Sequence, residues 1–178
     1  MHTELIISGF GGQGALFAGT LLAYTALENG MHVTWIPSYG PEMRGGTAHC
    51  TVTIADEEIG SPVVRRPGGA IVMNIPSLER YEPLVQPGGA LIVNSSLVDR
   101  TPERGDLETR LIPANEIAEA LGDKRMANMV LLGGYLAVNP VFTLEQVGAS
   151  LAAHIPVHRR NLLEKNLEAM RRGAEMAA

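Results

Sequence analysis

Leu5-Ile6-Ile7-Ser8-Gly9-Phe10-Gly11-Gly12-Gln13-Gly14-Ala15-Leu16-Phe17-Ala18-Gly19 is the stretch around which the chain is organised. A short apolar run feeds a glycine cluster. A helix-compatible segment follows, in which Ala and Leu recur through Leu21, Leu22, Ala23, Ala26 and Leu27. That order predicts strand, tight turn and helix. Gly9, Gly11 and Gly14 fit G-x-G-x-x-G, a spacing that lets the backbone turn sharply, approach a phosphate and pack the helix on its strand. Free N–H groups at a helix start, with the positive end of its dipole, favour a pyrophosphate or carboxylate. The bland alternative is that these glycines only let helix and strand pack.

The next strand weighs on the choice of ligand. A nicotinamide-binding unit places Asp or Glu about 20 residues on, at the end of its second strand, to hold the ribose hydroxyls. Here the run Val33-Thr34-Trp35-Ile36 ends in Pro37-Ser38-Tyr39-Gly40, and Glu42 comes only after another turn. NAD(P) is therefore disfavoured, while a phosphate-bearing ligand at the first turn stays open.

Working outward, Thr47 to Ile54 alternates and is β-branched, as in a strand. Ala55-Asp56-Glu57-Glu58 then turns into Ile59-Gly60-Ser61-Pro62, which predicts an inserted β-hairpin. Pro67-Gly68-Gly69-Ala70-Ile71-Val72-Met73-Asn74 is echoed by Pro87-Gly88-Gly89-Ala90-Leu91-Ile92-Val93-Asn94. Each is a glycine turn releasing an apolar run, as expected of parallel strands covered on both faces. Asn74 and Asn94 fall at strand ends, the edge where open α/β sheets bind ligands. An amide there can donate and accept, or can simply satisfy its own turn.

Beyond a charged loop from Asp99 to Asp106, Thr109 to Pro113 predicts a last short strand and Ala114 to Leu121 a helix. Met126 to Val138 is apolar around Gly133-Gly134, a pair that points to close packing against a neighbour. Thr143 and Gln146 stand in capping-box positions, and Pro156 ends the helix they open. The last helix, about His158 to Arg172, sets Leu162, Leu163, Asn166, Leu167 and Met170 on one stripe. Such a stripe is core, or a grip on a second subunit, which leaves open a dimer of the isolated chain.

The whole is expected to be one domain over residues 1–178. It should be an α/β fold: a Rossmann-like, mostly parallel sheet with helices on both faces, the inserted hairpin and a C-terminal helical tail. A formal charge of −5 with no long basic run argues against nucleic acid. No apolar run approaches the roughly 20 residues of a membrane span, and no signal peptide opens the chain, so a cytoplasmic protein is expected. Cys50 is the only cysteine, so this chain alone cannot hold an iron–sulfur cluster. The five histidines show no metal spacing, and Pro156 interrupts the pair His154 and His158. No metal site and no catalytic residue is assigned.

A second dense stretch, Pro37-Ser38-Tyr39-Gly40-Pro41-Glu42-Met43-Arg44-Gly45-Gly46-Thr47, should lie beside the first turn on the same sheet edge. Arg44 between glycines could take a phosphate or carboxylate bidentately, or form a salt bridge with Glu42 or a partner subunit. With both loops in view, the chain resembles the gamma subunit of 2-oxoacid:ferredoxin oxidoreductases. Gly9-Phe10-Gly11-Gly12-Gln13-Gly14 looks like the family's opening motif. Pro37 to Thr47, with the run to Gly60-Ser61-Pro62, is most similar to the branch acting on 2-oxoglutarate or branched-chain 2-oxoacids. The likeness extends through Asn94-Ser95-Ser96 and Asn128-Met129-Val130 to Asn166-Leu167-Glu168.

The resemblance implies a multi-subunit enzyme that oxidatively decarboxylates a 2-oxoacid to its acyl-CoA. Alpha and beta subunits would carry thiamine diphosphate with Mg, a ferredoxin-like delta subunit the 4Fe-4S clusters, and ferredoxin would accept the electrons. The gamma chain in this scheme holds none of these. In fused members the equivalent domain is associated with coenzyme A, which also carries a pyrophosphate. The implied binding set is Gly9, Phe10, Gly11, Gly12, Gln13 and Gly14 at the first turn; Ser38, Tyr39, Glu42, Met43, Arg44, Gly45 and Gly46 at the second; and Asn74, Asn94 and Ser95 at strand ends. Two other readings stay open: a scaffold subunit with no ligand, and a stand-alone nucleotide-dependent oxidoreductase.

Overall fold

The structure is a computed structural model that describes residues 1–38 and 47–178. Six strands form one sheet in the order β2-β3-β1-β4-β5-β6. They are β1 (His2–Phe10), β2 (His32–Ser38), β3 (Thr47–Ala55), β4 (Gly69–Val72), β5 (Ala90–Asn94) and β6 (Glu108–Ile112). β1, β4, β5 and β6 pair in parallel. β3 is antiparallel to both its neighbours, so it alone runs against the rest. The α/β, mostly parallel sheet expected from the apolar runs is therefore present.

The hairpin is not where the sequence suggested. β3 folds back on β2, and residues 59–62 form no strand. Two features favour this pairing. Pro37 has no N–H to give a ladder and needs an edge strand, which β2 is. Cys50, Val52 and Ile54 bury one face of β3 completely, whereas Gly60, Ser61 and Pro62 are exposed.

One face of the sheet carries α1 (Ala15–Glu28), α3 (Ala114–Ala120), α4 (Ala127–Val138), α5 (Leu144–His154) and α6 (Leu163–Ala177). Their side chains merge with Leu5, Ile7, Val52, Ile71 and Ile92 into the main core. The other face carries α2 (Ile75–Tyr81), whose Leu78 and Tyr81 cover Ile6, Val72, Leu91 and Val93. α4 is apolar all round and is buried on nearly every side, as such a helix must be. It meets α6 at glycines: a methyl at Gly133 would run into the backbone of Met170, and one at Gly173 into the backbone of Val130. This is the close packing that Gly133-Gly134 pointed to.

The capping box at Thr143 and Gln146 is present. The last helix differs from expectation. A 3-10 turn occupies Val157–Leu162, and α6 begins at Leu163 and runs on to Ala177. Its buried contacts are the small or flexible residues Ala169, Met170, Gly173 and Ala177, while Leu162, Leu163 and Leu167 are half-buried. Of the expected stripe, Met170 alone is fully buried, and Leu162, Leu163, Asn166 and Leu167 are half-buried.

Candidate functional site

The first glycine turn closes on itself. Gln13 donates its N–H to the Phe10 carbonyl at 3.1 Å, and its side-chain Oε1 accepts the Phe10 N–H at 2.5 Å. Oε1 also receives Asn74 Nδ2 at 3.5 Å. Gly9 leaves room for this carboxamide, since a Cβ there would stand 2.6 Å from Oε1 and 2.9 Å from Met73 Cβ. Gly12 and Gly14 hold φ of 93° and 82°, a region that disfavours side chains.

Gly14 is fastened from across the fold. Its carbonyl accepts Asn128 Nδ2 at 3.1 Å as well as the Ala18 N–H. Asn128, at the start of α4, thereby ties the N-terminal ends of α1 and α4 together. Neither helix has a side-chain cap. Among the described residues the N–H groups of Gly11, Gly12 and Gly14 have no partner. The Gln13 N–H, expected to serve with them, is spent inside the turn.

Ser38 and Thr47 bound the second loop. Ser38 pairs across β3 with His49, which pairs with Ser8, and Thr47 pairs with Phe10. Both ends of that loop thus leave the sheet on the edge that bears the glycine turn. Tyr39, Glu42, Met43, Arg44, Gly45 and Gly46 lie outside the described residues.

The two strand-end asparagines have different fates. Asn74 caps α2, its Oδ1 accepting the Ser77 N–H at 2.9 Å, which is the turn-satisfying role. Asn94, 1% exposed, donates Nδ2 to Asn115 Oδ1 at 2.9 Å and leaves its own Oδ1 unpartnered. Ser95 extends the β5–β6 ladder by giving its N–H to the Ile112 carbonyl at 2.9 Å.

Asn94 lines a cavity of about 210 Å³. Gly12 and Gln13 form another part of its wall, and Lys124 and Arg125, both exposed, stand at its rim. Asp123 grips Arg125 through Nε at 2.9 Å and Nη2 at 2.6 Å, and accepts the Arg125 backbone N–H at 3.0 Å. Those bonds hold the Asp123 carboxyl down at about 2. Among the described residues Lys124 makes no ion pair. The sequence alone does not single out Asn115, Lys124, Arg125 or Asn128 as site residues. No local pattern links them to Asn94, and only the parallel register of β5 and β6 brings the start of α3 beside it.

The remaining chemistry is muted. Burial pushes the Cys50 thiol up to about 12, and its Sγ faces the Ala15 carbonyl. His49 sits 5.5 Å from the Tyr81 ring; burial, then the charge of Arg80, lowers its pKa. His154 pairs with Glu28 at 2.7 Å and stacks on Tyr24. Among the described residues no three metal-ligating side chains cluster. Another cavity, of about 280 Å³, lies at the opposite sheet edge beside Glu4 and Glu108, surroundings that repel an anion.

An α/β sheet with a glycine turn between its first strand and first helix is a Rossmann-like arrangement, the class of fold in which ligands are bound at the C-terminal edge of the strands. The chain belongs to the pyruvate ferredoxin/flavodoxin oxidoreductase family, whose pattern it matches over residues 4–176. It is 36% identical to the ketoisovalerate oxidoreductase subunit VorA of Methanothermobacter thermautotrophicus, over 96% of this chain and 35% of that protein. It is 34% identical to the 2-oxoglutarate synthase subunit KorC of Methanothermobacter marburgensis, over 99% of this chain and 97% of that one. The chain thus spans about a third of VorA and nearly all of KorC.

Among solved structures, it superposes on the gamma subunit of a keto/oxoacid ferredoxin oxidoreductase from Geobacter sulfurreducens with a TM-score of 0.83 and 29% identity, covering 98% of each chain. It also matches the fold of a 2-oxoglutarate:ferredoxin oxidoreductase from Magnetococcus marinus, described with 2-oxoglutarate, coenzyme A and succinyl-CoA bound. There the TM-score is 0.88 at 21% identity, over 99% of this chain and 31% of that one.

Proposed function

We propose that this chain is the gamma subunit of a multi-subunit 2-oxoacid:ferredoxin oxidoreductase, acting on 2-oxoglutarate or a related 2-oxoacid, and that it positions coenzyme A without holding a catalytic centre. The observation that carries the reading is the first turn: three N–H groups unspent among the described residues, a helix start with no side-chain cap, and a basic rim beside them. Such a cradle suits the pyrophosphate of coenzyme A. Thiamine diphosphate, Mg and 4Fe-4S clusters belong to the alpha, beta and delta partners, with ferredoxin as acceptor. A single buried cysteine here agrees with that division. Among the described residues no helix is long and apolar enough to cross a membrane, and we assign the complex to the cytoplasm.

When bound, coenzyme A supplies the thiol that accepts the acyl group. This chain would hold its phosphates at Gly11, Gly12 and Gly14, with Arg44 as a second anchor and Tyr39, Glu42 and Met43 bordering the site. Calorimetry on the assembled complex tests this. Gly12→Asp places a carboxylate in the cradle, whereas Gly12→Asn imposes the same backbone strain without charge. Gly12→Asp should weaken coenzyme A at least about tenfold, Gly12→Asn much less. Equal affinity for wild type and for Gly12→Asp combined with Arg44→Ala rejects the role.

A further inference from the structure

The sheet has two edges, and only one of them is blunted. β2 carries Pro37, which has no N–H to offer a further strand. β6, the other edge, has no proline from Glu108 to Ile112. The Glu108 N–H goes to the Gly89 carbonyl and the Ile112 carbonyl takes the Ser95 N–H, so the alternate residues Thr109 and Leu111 turn their backbone groups away from β5. Among the described residues neither of their N–H groups has a partner, and the Thr109 carbonyl meets only Arg110 Nη1 at 3.2 Å. A groove of about 550 Å³, lined by this strand with Thr101, Pro102 and Gly105, leaves the edge open. Leu111, 49% exposed, stands in it. Unpaired edge groups of this kind template another strand.

The residues of β6 decide which strand fits. Leu107-Glu108-Thr109-Arg110-Leu111, read in reverse, keeps its apolar ends and its central threonine and exchanges its two charges. In an antiparallel pair the outward-turned residues of one copy must face those of the other, so a second copy meets this strand centred on Glu108, Thr109, Arg110 or Leu111. Centred on Glu108, two carboxylates face each other; centred on Arg110, two guanidinium groups do. Centred on Leu111, Pro113 falls opposite Thr109 and gives no N–H. Only the register centred on Thr109 sets each Glu108 against an Arg110 and each Leu107 against a Leu111. Opposite charges directly across two strands stabilise the pair, and like charges destabilise it.

The two charges already share a face. Arg110 Nη2 donates to Glu108 Oε1 at 3.1 Å, and the Ala177 carbonyl holds Arg110 Nε at 2.7 Å. Two copies would therefore close an alternating ring of two carboxylates and two guanidinium groups. Charges on an edge strand ordinarily deter pairing. Here their order favours one register and opposes its neighbours.

We infer that β6 is a self-association edge, where a second copy of this chain pairs antiparallel about a two-fold axis at Thr109 and joins two six-stranded sheets into one. An unrelated extended segment would need none of this internal symmetry. The inference stands apart from the coenzyme A reading.

Sedimentation equilibrium on the full chain tests it. Wild type should dimerise at micromolar concentration. Glu108→Arg and Arg110→Glu each set like charges opposite one another at two places, and each should weaken self-association at least about tenfold. An equimolar mixture of the two variants should dimerise again, since one copy is then basic at both positions and the other acidic. The pair within each chain is lost in both variants and in their mixture, so recovery on mixing reads only the contact between copies. Thr109→Pro removes an N–H that β5 does not use, and should give monomers with little change in thermal midpoint.

Monomeric wild type at tens of micromolar, dimers unchanged in either charge variant, or no recovery on mixing overturns the inference. A wild type that is monomeric alone, and whose Thr109→Pro form no longer joins the other subunits, gives this edge to a partner's strand and overturns it as well.

Discussion

Asn94 and Asn74 occupy equivalent places after two similar strands, yet one amide is spent on a helix cap and the other leaves its oxygen buried and unpartnered. The difference lies in where each amide finds its partner. Ser77 stands three residues beyond Asn74 and supplies its N–H, whereas the partner of Asn94 is Asn115, delivered by a different strand. The glycine turn was legible because its logic is local, the four residues Phe10 to Gln13 closing on themselves. The rest of the cavity was not, because Asn115 and Lys124 reach it only through tertiary register.

Two further residues make testable statements. Cys50 in the folded chain, its thiol pushed up to about 12, should resist alkylation at pH 8 and react fully in denaturant, which mass spectrometry reads directly. His49 is held below its ordinary 6.5, so the unfolded chain takes a proton there before the folded one does. The stability this provides is present above pH 6.5 and is lost as pH falls below it. Asp123 acts in a separate window, between about 4 and about 2, where its depressed carboxyl titrates. Thermal midpoints of wild type should therefore fall between pH 7 and 5 more steeply than those of His49→Gln. Parallel curves would remove His49 from the account.

The contact between α4 and α6 depends on the absence of side chains at Gly133 and Gly173. Alanine at either would improve helix propensity by about 1 kcal/mol, yet its methyl lands on backbone that cannot rotate away. Overpacking of this kind costs about 1–3 kcal/mol or more. Both Gly133→Ala and Gly173→Ala should lower the denaturant midpoint, while Gly105→Ala, where a methyl meets open space, should leave it nearly unchanged. Gly133-Gly134 announced this interface in the sequence, because two glycines inside an apolar helix need a reason. The partner's glycine did not stand out, since Gly173 follows Arg171-Arg172 at the end of an apparently amphipathic stripe. The hairpin was misplaced for a similar reason. β3 was visible as a strand, but its neighbour was chosen by the need of Pro37 for an edge, and alternation alone does not express that.

Across the whole molecule, a net charge of −5 coexists with a local basic rim at Lys124 and Arg125. Anion binding there should be short-ranged and salt-sensitive, so coenzyme A affinity of the complex should drop measurably between 0.05 and 0.5 M salt, roughly as the Debye length shrinks to a few ångströms. The reversed strand β3 has a broader consequence. Because it alone returns against its neighbours, Ser38 and Thr47 stand on one rim, each held by its pairing to a neighbouring strand. Substitutions between those two anchors therefore leave the paired ladders of Ser38 and Thr47 in place.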